Sequence, residues 1–416
     1  MAENRLFYAK TMQKILSKES SFSELKEGFN ESEKGFANML IMTALRRLSF
    51  IKEDVLPLFV KKKIPAKQKI LEIILYLGIT ELLFMNTPEY AVINSYVEAG
   101  KSATDKFGAN FINAVLRNVL RHKTEILAQK NTKYFSKDFL KILKQDYLPE
   151  TIAEMEKFMG IEPPLDVSIK QGFAFCEGGT ILPTGSVRFS ANTKVKELEG
   201  FDDGKWWVQD AASALAVNAL FDLRGKKVLD ICAAPGGKTA QLLDKGALVT
   251  AVDISLKRLD VLKENIERLG LLENLEIRCS DALEFQEDKK FDVVLVDAPC
   301  SATGTFRRHP EVIHLKTLDD VKKQQDLQKK ILEKAKNFIL SGGLLVYATC
   351  SLAKAEGEAV IREFLAKNKD FQIRPIVLNG CEKMQTKEGF LRILPQHLGE
   401  YGGCDGFFIA ILQRKI

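Results

Sequence analysis

Along the first 130 residues, apolar positions recur every three or four places. Leu71, Ile74, Leu75, Ile79, Leu82 and Leu83 follow that spacing. The run from Phe111 to His122 repeats it, with Ile112, Val115, Leu116, Val119 and Leu120 apolar and Arg117 and Arg121 on another face. One apolar stripe at this period predicts amphipathic helices. Breaks at KKKIP, NTPEY and KFGAN separate them, so residues 1–130 read as an all-α bundle. Residues 131–205 read differently. Lys133 to Phe158 keeps the helical period, but Glu162 to Gly204 is short apolar pieces broken by PP, EGG, PTG and DDG, which predicts a small α+β connector. From Trp206 onward the period switches repeatedly. VLDIC, ALVTAVD, LEIRC, FDVVLVD and LLVYATC read as strands, with helical stretches such as SLKRLDVLKENIERLG between them and GFFIAILQ as a last strand. That alternation predicts a doubly wound, Rossmann-like α/β domain over 206–416.

Composition narrows the class. A chain of 416 residues has material for two or three cores. The N-terminus, MAENRLFYAKTMQK, is amphipathic, and the longest apolar run, Ile73 to Ile79, is too short to span a bilayer, so the reading is a soluble, cytoplasmic protein. The cysteines (Cys176, Cys232, Cys279, Cys300, Cys350, Cys381 and Cys404) are odd in number and form no C-x-x-C, and the four histidines show no ligand pair. Neither a zinc site nor a disulfide framework is expected. Charge is uneven. Residues 1–150 hold 24 Lys/Arg against 17 Asp/Glu, whereas the remainder is balanced to within one charge. A basic front on a near-neutral second half fits a polyanionic partner.

The chemistry centres on KVLDICAAPGGK, Lys227 to Lys238. A buried strand running into a glycine-bearing turn lets a ligand approach the backbone, and an acidic residue ending the next strand, Asp253, can bind ribose hydroxyls. The pattern points to a nucleoside cofactor. GGKT resembles the end of a P-loop, but the position six residues before Lys238 is Cys232, where that motif needs glycine. In doubly wound sheets ligands lie outside the carboxyl ends of the strands. The polar residues falling there form one set: Ala233 to Lys238, Asp253, Asp281, Asp297 to Cys300 (DAPC) and Thr349 to Ser351 (TCS). A lone cysteine is most often a buried apolar thiol. Two at neighbouring strand ends beside three carboxylates point instead to chemistry.

On QDAASAL, DICAAPGGKT, AVDISLKRL, DAPCSATGTFRRHPE, LVYATCS and DGFFIAIL, residues 206–416 resemble the Nop/Sun family of RNA cytosine-C5 methyltransferases. LEIILYLGITELLFMNTPEYAVINSYVEAGK and ANFINAVLRNVLR resemble the NusB-like RNA-binding domain that precedes the catalytic domain in one group of these enzymes. The resemblance implies S-adenosyl-L-methionine as cofactor, held by Cys232, Ala233, Ala234, Pro235, Gly236, Gly237, Lys238, Asp253, Asp281 and Asp297. It implies Cys350 as nucleophile and Cys300 as the residue that assists product release. Cytosine C5 is a poor nucleophile, and a thiolate adding to C6 makes it enamine-like, which is why a cysteine serves here. A second cysteine near C5 can act in proton removal. Lys238 is a candidate to support the thiolate or contact the pyrimidine, and Asp297 to bind its N3/N4 edge.

The partner expected is RNA rather than DNA, presented as a single-stranded or flipped cytosine. Small-subunit ribosomal RNA is the implied target. The alternatives are the same chemistry on tRNA or another ribosomal site, or an inactive RNA-binding assembly factor. Arg307, Arg308 and His309 are candidates to hold flanking phosphates, as are Arg117, Arg121 and the run Lys61, Lys62, Lys63, Lys67 and Lys69 on the front domain. The connector reads LDVSIK after its PP pair, where the family has an Arg-x-Asn segment. No metal and no membrane are expected, and the chain is expected to act as a monomer.

Overall fold

In the computed structural model, residues 2–19, 29, 31–104, 106–128, 133–174 and 178–416 are described; Cys176 lies outside them. Contacts divide the chain into two compact units. One is Met1–Leu140 with His309–Leu315, and the other is Lys141–Arg308 with Lys316–Ile416. The division therefore falls ten residues beyond the expected end of the helical bundle at residue 130. The connector from Lys141 onward is part of the second unit.

The first unit is helical. Its long helices are Ala2–Leu16, Glu31–Phe50, Lys69–Phe84, Glu89–Ala103 and Lys106–Arg121. Lys69–Phe84 is buried from Ile73 through Leu83, on every face rather than along the one stripe that its spacing predicts, because most of the intervening positions are apolar too. Its one buried acid, Glu81, takes a hydrogen bond from the Arg5 guanidinium at 2.8 Å and another from the Tyr96 hydroxyl at 2.9 Å. An ion in such a core is tolerated only when so partnered. Helix Lys106–Arg121 buries Ile112, Val115, Leu116 and Val119 and leaves Arg117 and Arg121 exposed. The segment His309–Leu315 belongs to this unit: the His314 imidazole meets the Leu45 carbonyl at 2.7 Å, and burial lowers its pKa to about 4.

The second unit holds two sheets. The smaller is antiparallel, ordered β2 (Thr180–Ile181), β3 (Val187–Phe189), β1 (Leu165–Ile169) and β4 (Trp206–Val208). Trp206 thus closes the connector's sheet, with its ring packed on Val167, Val187 and Phe189. The larger sheet runs β7 (Leu275–Cys279), β6 (Leu248–Asp253), β5 (Lys227–Ile231), β8 (Phe291–Asp297), β9 (Ile339–Thr349), β12 (Phe407–Arg414) and β10 (Phe371–Ile373), with β11 (Leu391–Ile393) also paired to β12. The strands from β7 to β9 are parallel, and β10, β11 and β12 join antiparallel. Strands β6 and β7 step to one side of β5, whereas β8 and β9 step to the other. The order therefore reverses between β5 and β8, and a crevice opens at that switch point.

Candidate active site at the carboxyl edge of the sheet

Strand β5 leaves the sheet through a tight turn. Cys232 has φ 62° and Gly236 φ 102°. The second value needs glycine twice over, because an added Cβ would also lie 2.8 Å from the Leu262 side chain. Helix Gly237–Asp244 starts there and turns Lys238 and Thr239 inward. The Thr239 hydroxyl donates to Asp230 at 2.7 Å, and burial pushes that carboxyl up to about 7.

A cavity of about 590 Å³ lies along these strand ends. That volume is typical of small-molecule sites, which span roughly 300–1,000 Å³. Cys232, Ala234, Asp253, Asp281, Asp297, Cys300 and Cys350 all line it. Asp253 accepts hydrogen bonds from the amides of Ala234 (3.2 Å) and Ser255 (3.0 Å). Those two bonds leave the carboxylate with lone pairs for hydroxyl donors. Ile254 and Ala282 supply apolar wall beside it. Burial, Asp253 and Asp297 push the Cys232 thiol up to about 12, so it lines the cavity as a neutral group. Lys238 is buried and donates to Asp297 at 2.7 Å, with its ammonium 5.0 Å from the centre of the Phe407 ring.

The two cysteines come together. Cys300 and Cys350 sulfurs are 3.3 Å apart, at the ends of adjacent parallel strands β8 and β9. The hydrogen bond to Cys350, burial and the negative charge of Glu356 hold the Cys300 thiol well above its ordinary pKa. Cys300 is thus the thiol of the pair that is held protonated. The backbones behind them interlock: the Gly304 amide donates to the Cys350 carbonyl at 2.9 Å, and the Gly406 amide to the Gly304 carbonyl at 2.8 Å. A Cβ on Gly304 would sit 2.0 Å from the Gly406 oxygen, so this crossing admits only glycine.

Other expected residues fall elsewhere. Arg307 is fully buried, and its guanidinium donates to the Gly402 carbonyl at 2.5 Å. Arg308 sits among Asp210 (3.0 Å), Asp405 (3.3 Å) and Asp166 (3.8 Å). These carboxylates raise its already high pKa. Arg307 thus braces the loop after Cys300 from within, which takes it off the surface where a phosphate contact was expected, whereas Arg308 stays a quarter exposed. His309 is more than half exposed, with its imidazole 3.4 Å from Glu311. Lys61, Lys62, Lys63, Lys67 and Lys69 are exposed on the helical unit, as are Arg117 and Arg121. Ser351, expected at the strand ends, joins a buried polar cluster with Ser301, Thr303, Glu356 and Gln328 behind the cysteines, and those four the sequence reading missed. The cluster's only trace in the sequence is the seryl residue that follows each cysteine.

Residues 218–413 match the family model for 16S rRNA methyltransferase RsmB/F, and residues 2–121 match that of the NusB family. Ribosomal RNA small subunit methyltransferase B of Vibrio cholerae is 32% identical, over 90% of this chain and 87% of its own. The chain belongs to this methyltransferase family. The enzyme of the same name from Serratia proteamaculans is 31% identical over 94% and 92% of the two chains. The crystal structure of PH0851 shares the fold across 99% of this chain, with a TM-score of 0.76 at 20% identity. A methyltransferase homologue from Pyrococcus horikoshii superposes on 67% of this chain and 99% of its own, with a TM-score of 0.54 at 27% identity. Family membership makes the chain an S-adenosylmethionine-dependent methyltransferase. The cavity fits that cofactor: a buried carboxylate with spare acceptor capacity lies at one end, an apolar wall runs beside it, and the thiol pair borders the same space. Among the described residues no helix is long and apolar enough to cross a membrane, and no three His, Cys, Asp or Glu side chains cluster to hold a metal ion.

Proposed function

We propose that this chain methylates C5 of a cytosine in small-subunit ribosomal RNA through a covalent bond between Cys350 and C6. The observation that carries this is the pair of thiols 3.3 Å apart, bordering the cavity that also holds Asp253. S-adenosylmethionine supplies an electrophilic methyl group, and Asp253, Asp281 and the Ala234 turn hold it. The Cys350 thiolate adds to C6, and its negative charge passes into the ring, making C5 nucleophilic. Asp297, with Lys238 at 2.7 Å, faces the same cavity and is suited to accept from the cytosine amino group. Once C5 is methylated its proton must leave. By then the Cys350 sulfur is a neutral thioether, so its hydrogen bond and charge no longer hold the proton on Cys300. Cys300 can then release its own proton to solvent and, as a thiolate, take the C5 proton while the C6–S bond breaks, which returns the thiolate to Cys350.

The relatives are named for the small ribosomal subunit, and the exposed basic groups Lys61, Lys62, Lys63, Lys67, Lys69, Arg117 and Arg121 suit contact with phosphates. With labelled cofactor and equal amounts of unmodified acceptors, label is expected in small-subunit ribosomal RNA and at background in tRNA. Preferential labelling of tRNA would move the substrate assignment and leave the chemistry intact.

A further inference from the structure

We propose that Glu356 is a positioning residue whose buried carboxylate holds the Cys300 loop and the Cys350 loop at a fixed separation and places a negative charge beside the two sulfurs. The inference rests on the cysteine roles given above.

Glu356 is fully buried and does not line the cavity, so it acts through its neighbours. One carboxylate oxygen accepts the Ser301 amide at 2.8 Å and the Gln328 side-chain amide at 3.0 Å. The other accepts the Ser301 hydroxyl and, at 2.6 Å, the Ser351 hydroxyl. A carboxylate offers about four acceptor sites, and here four donors fill them. Ser301 follows Cys300 and Ser351 follows Cys350, so one side chain grips both loops one residue from the reacting sulfurs. Thr303 completes the grip: its hydroxyl lies 3.1 Å from that of Ser351 and accepts the Leu352 amide at 2.9 Å. Gln328 also donates to the Pro299 carbonyl at 2.9 Å, and the Tyr347 hydroxyl donates to the Glu356 carbonyl at 2.7 Å. Charge and span therefore act together. The span sets the distance between the sulfurs, and the negative charge helps keep the proton on Cys300.

The test compares Glu356→Gln with wild type. Glutamine keeps the length and the acceptor facing Ser301 and Gln328, the serine hydroxyls can rotate to accept from its amide, and the charge is lost. The other groups near the pair stay in place: Lys238 and Asp297 on the cavity side, Tyr347 beneath, and Arg392 with Glu358 behind Ser351. The first readout is alkylation of Cys350 by iodoacetamide from pH 5 to 10, located by peptide mass spectrometry. The midpoint belongs to the coupled pair. It is expected to fall by at least about half a pH unit, since a nearby negative charge has been removed. The second readout is methyl transfer, where kcat should fall at least about tenfold while the RNA KM and cofactor affinity stay within about twofold. An unmoved midpoint overturns the proposal whatever happens to kcat, because a merely bracing residue would leave it in place. A shifted midpoint with unchanged kcat overturns it too. If the wild-type protein transfers methyl to no RNA, the functional reading fails, and the midpoint alone decides the role of Glu356.

Discussion

Cys350→Ala is expected to abolish methyl transfer, lowering kcat by at least about 10³-fold, the scale seen when a covalent nucleophile is removed. The choice of Cys350 over its neighbour follows from the pair itself. At 3.3 Å the two sulfurs cannot both be thiolates at neutral pH, and burial, Glu356 and the hydrogen bond all favour keeping the proton on Cys300. Cys300 is thus the thiol held protonated, which leaves Cys350 as the proposed nucleophile. Cofactor affinity, measured by calorimetry, should stay within about twofold, because the acceptors and apolar wall at the Asp253 end of the cavity are untouched. Turnover within a few-fold of wild type would remove Cys350 from the nucleophile's role.

Cys300→Ala should instead stall with RNA attached. The nucleophile remains, so the C6 bond forms and methylation proceeds, but the group placed to take the C5 proton is gone. The variant is expected to accumulate a one-to-one protein–RNA adduct that survives denaturing electrophoresis, with multiple-turnover kcat lowered by about 10²-fold or more. The double variant lacking both thiols should form none. If Cys350→Ala accumulates the adduct and Cys300→Ala does not, the two roles are exchanged.

Much of this site was legible because it is written at strand ends. The near-continuous apolar runs ending in Asp253, Asp297 and Thr349 each deliver polar residues to one edge, and parallel order brings Cys300 and Cys350 together across β8 and β9. The helical front was equally readable, since Leu71, Ile74, Leu75, Ile79, Leu82 and Leu83 are all buried as their spacing predicts. Burial of charge was not readable. Arg307 and Arg308 look like a basic loop, and nothing local shows that Asp166, Asp210 and Asp405, distant in the chain, converge on Arg308. Trp206 misled for a related reason: a short apolar run cannot declare which of two sheets it joins, and Ile169 is the partner that decides. Glu356 sits in a polar stretch, KAEGE, that reads as a solvated helix start. Only the folded loops put four donors around it.

The measurement that bears most directly on the account is transfer of labelled methyl from S-adenosylmethionine to unmodified small-subunit ribosomal RNA, followed by digestion to nucleosides. The label is expected in 5-methylcytidine alone. Label in any other nucleoside would contradict it, because addition of a thiolate at C6 serves to activate a pyrimidine C5 and would have no part in methylating a ribose oxygen or an exocyclic nitrogen.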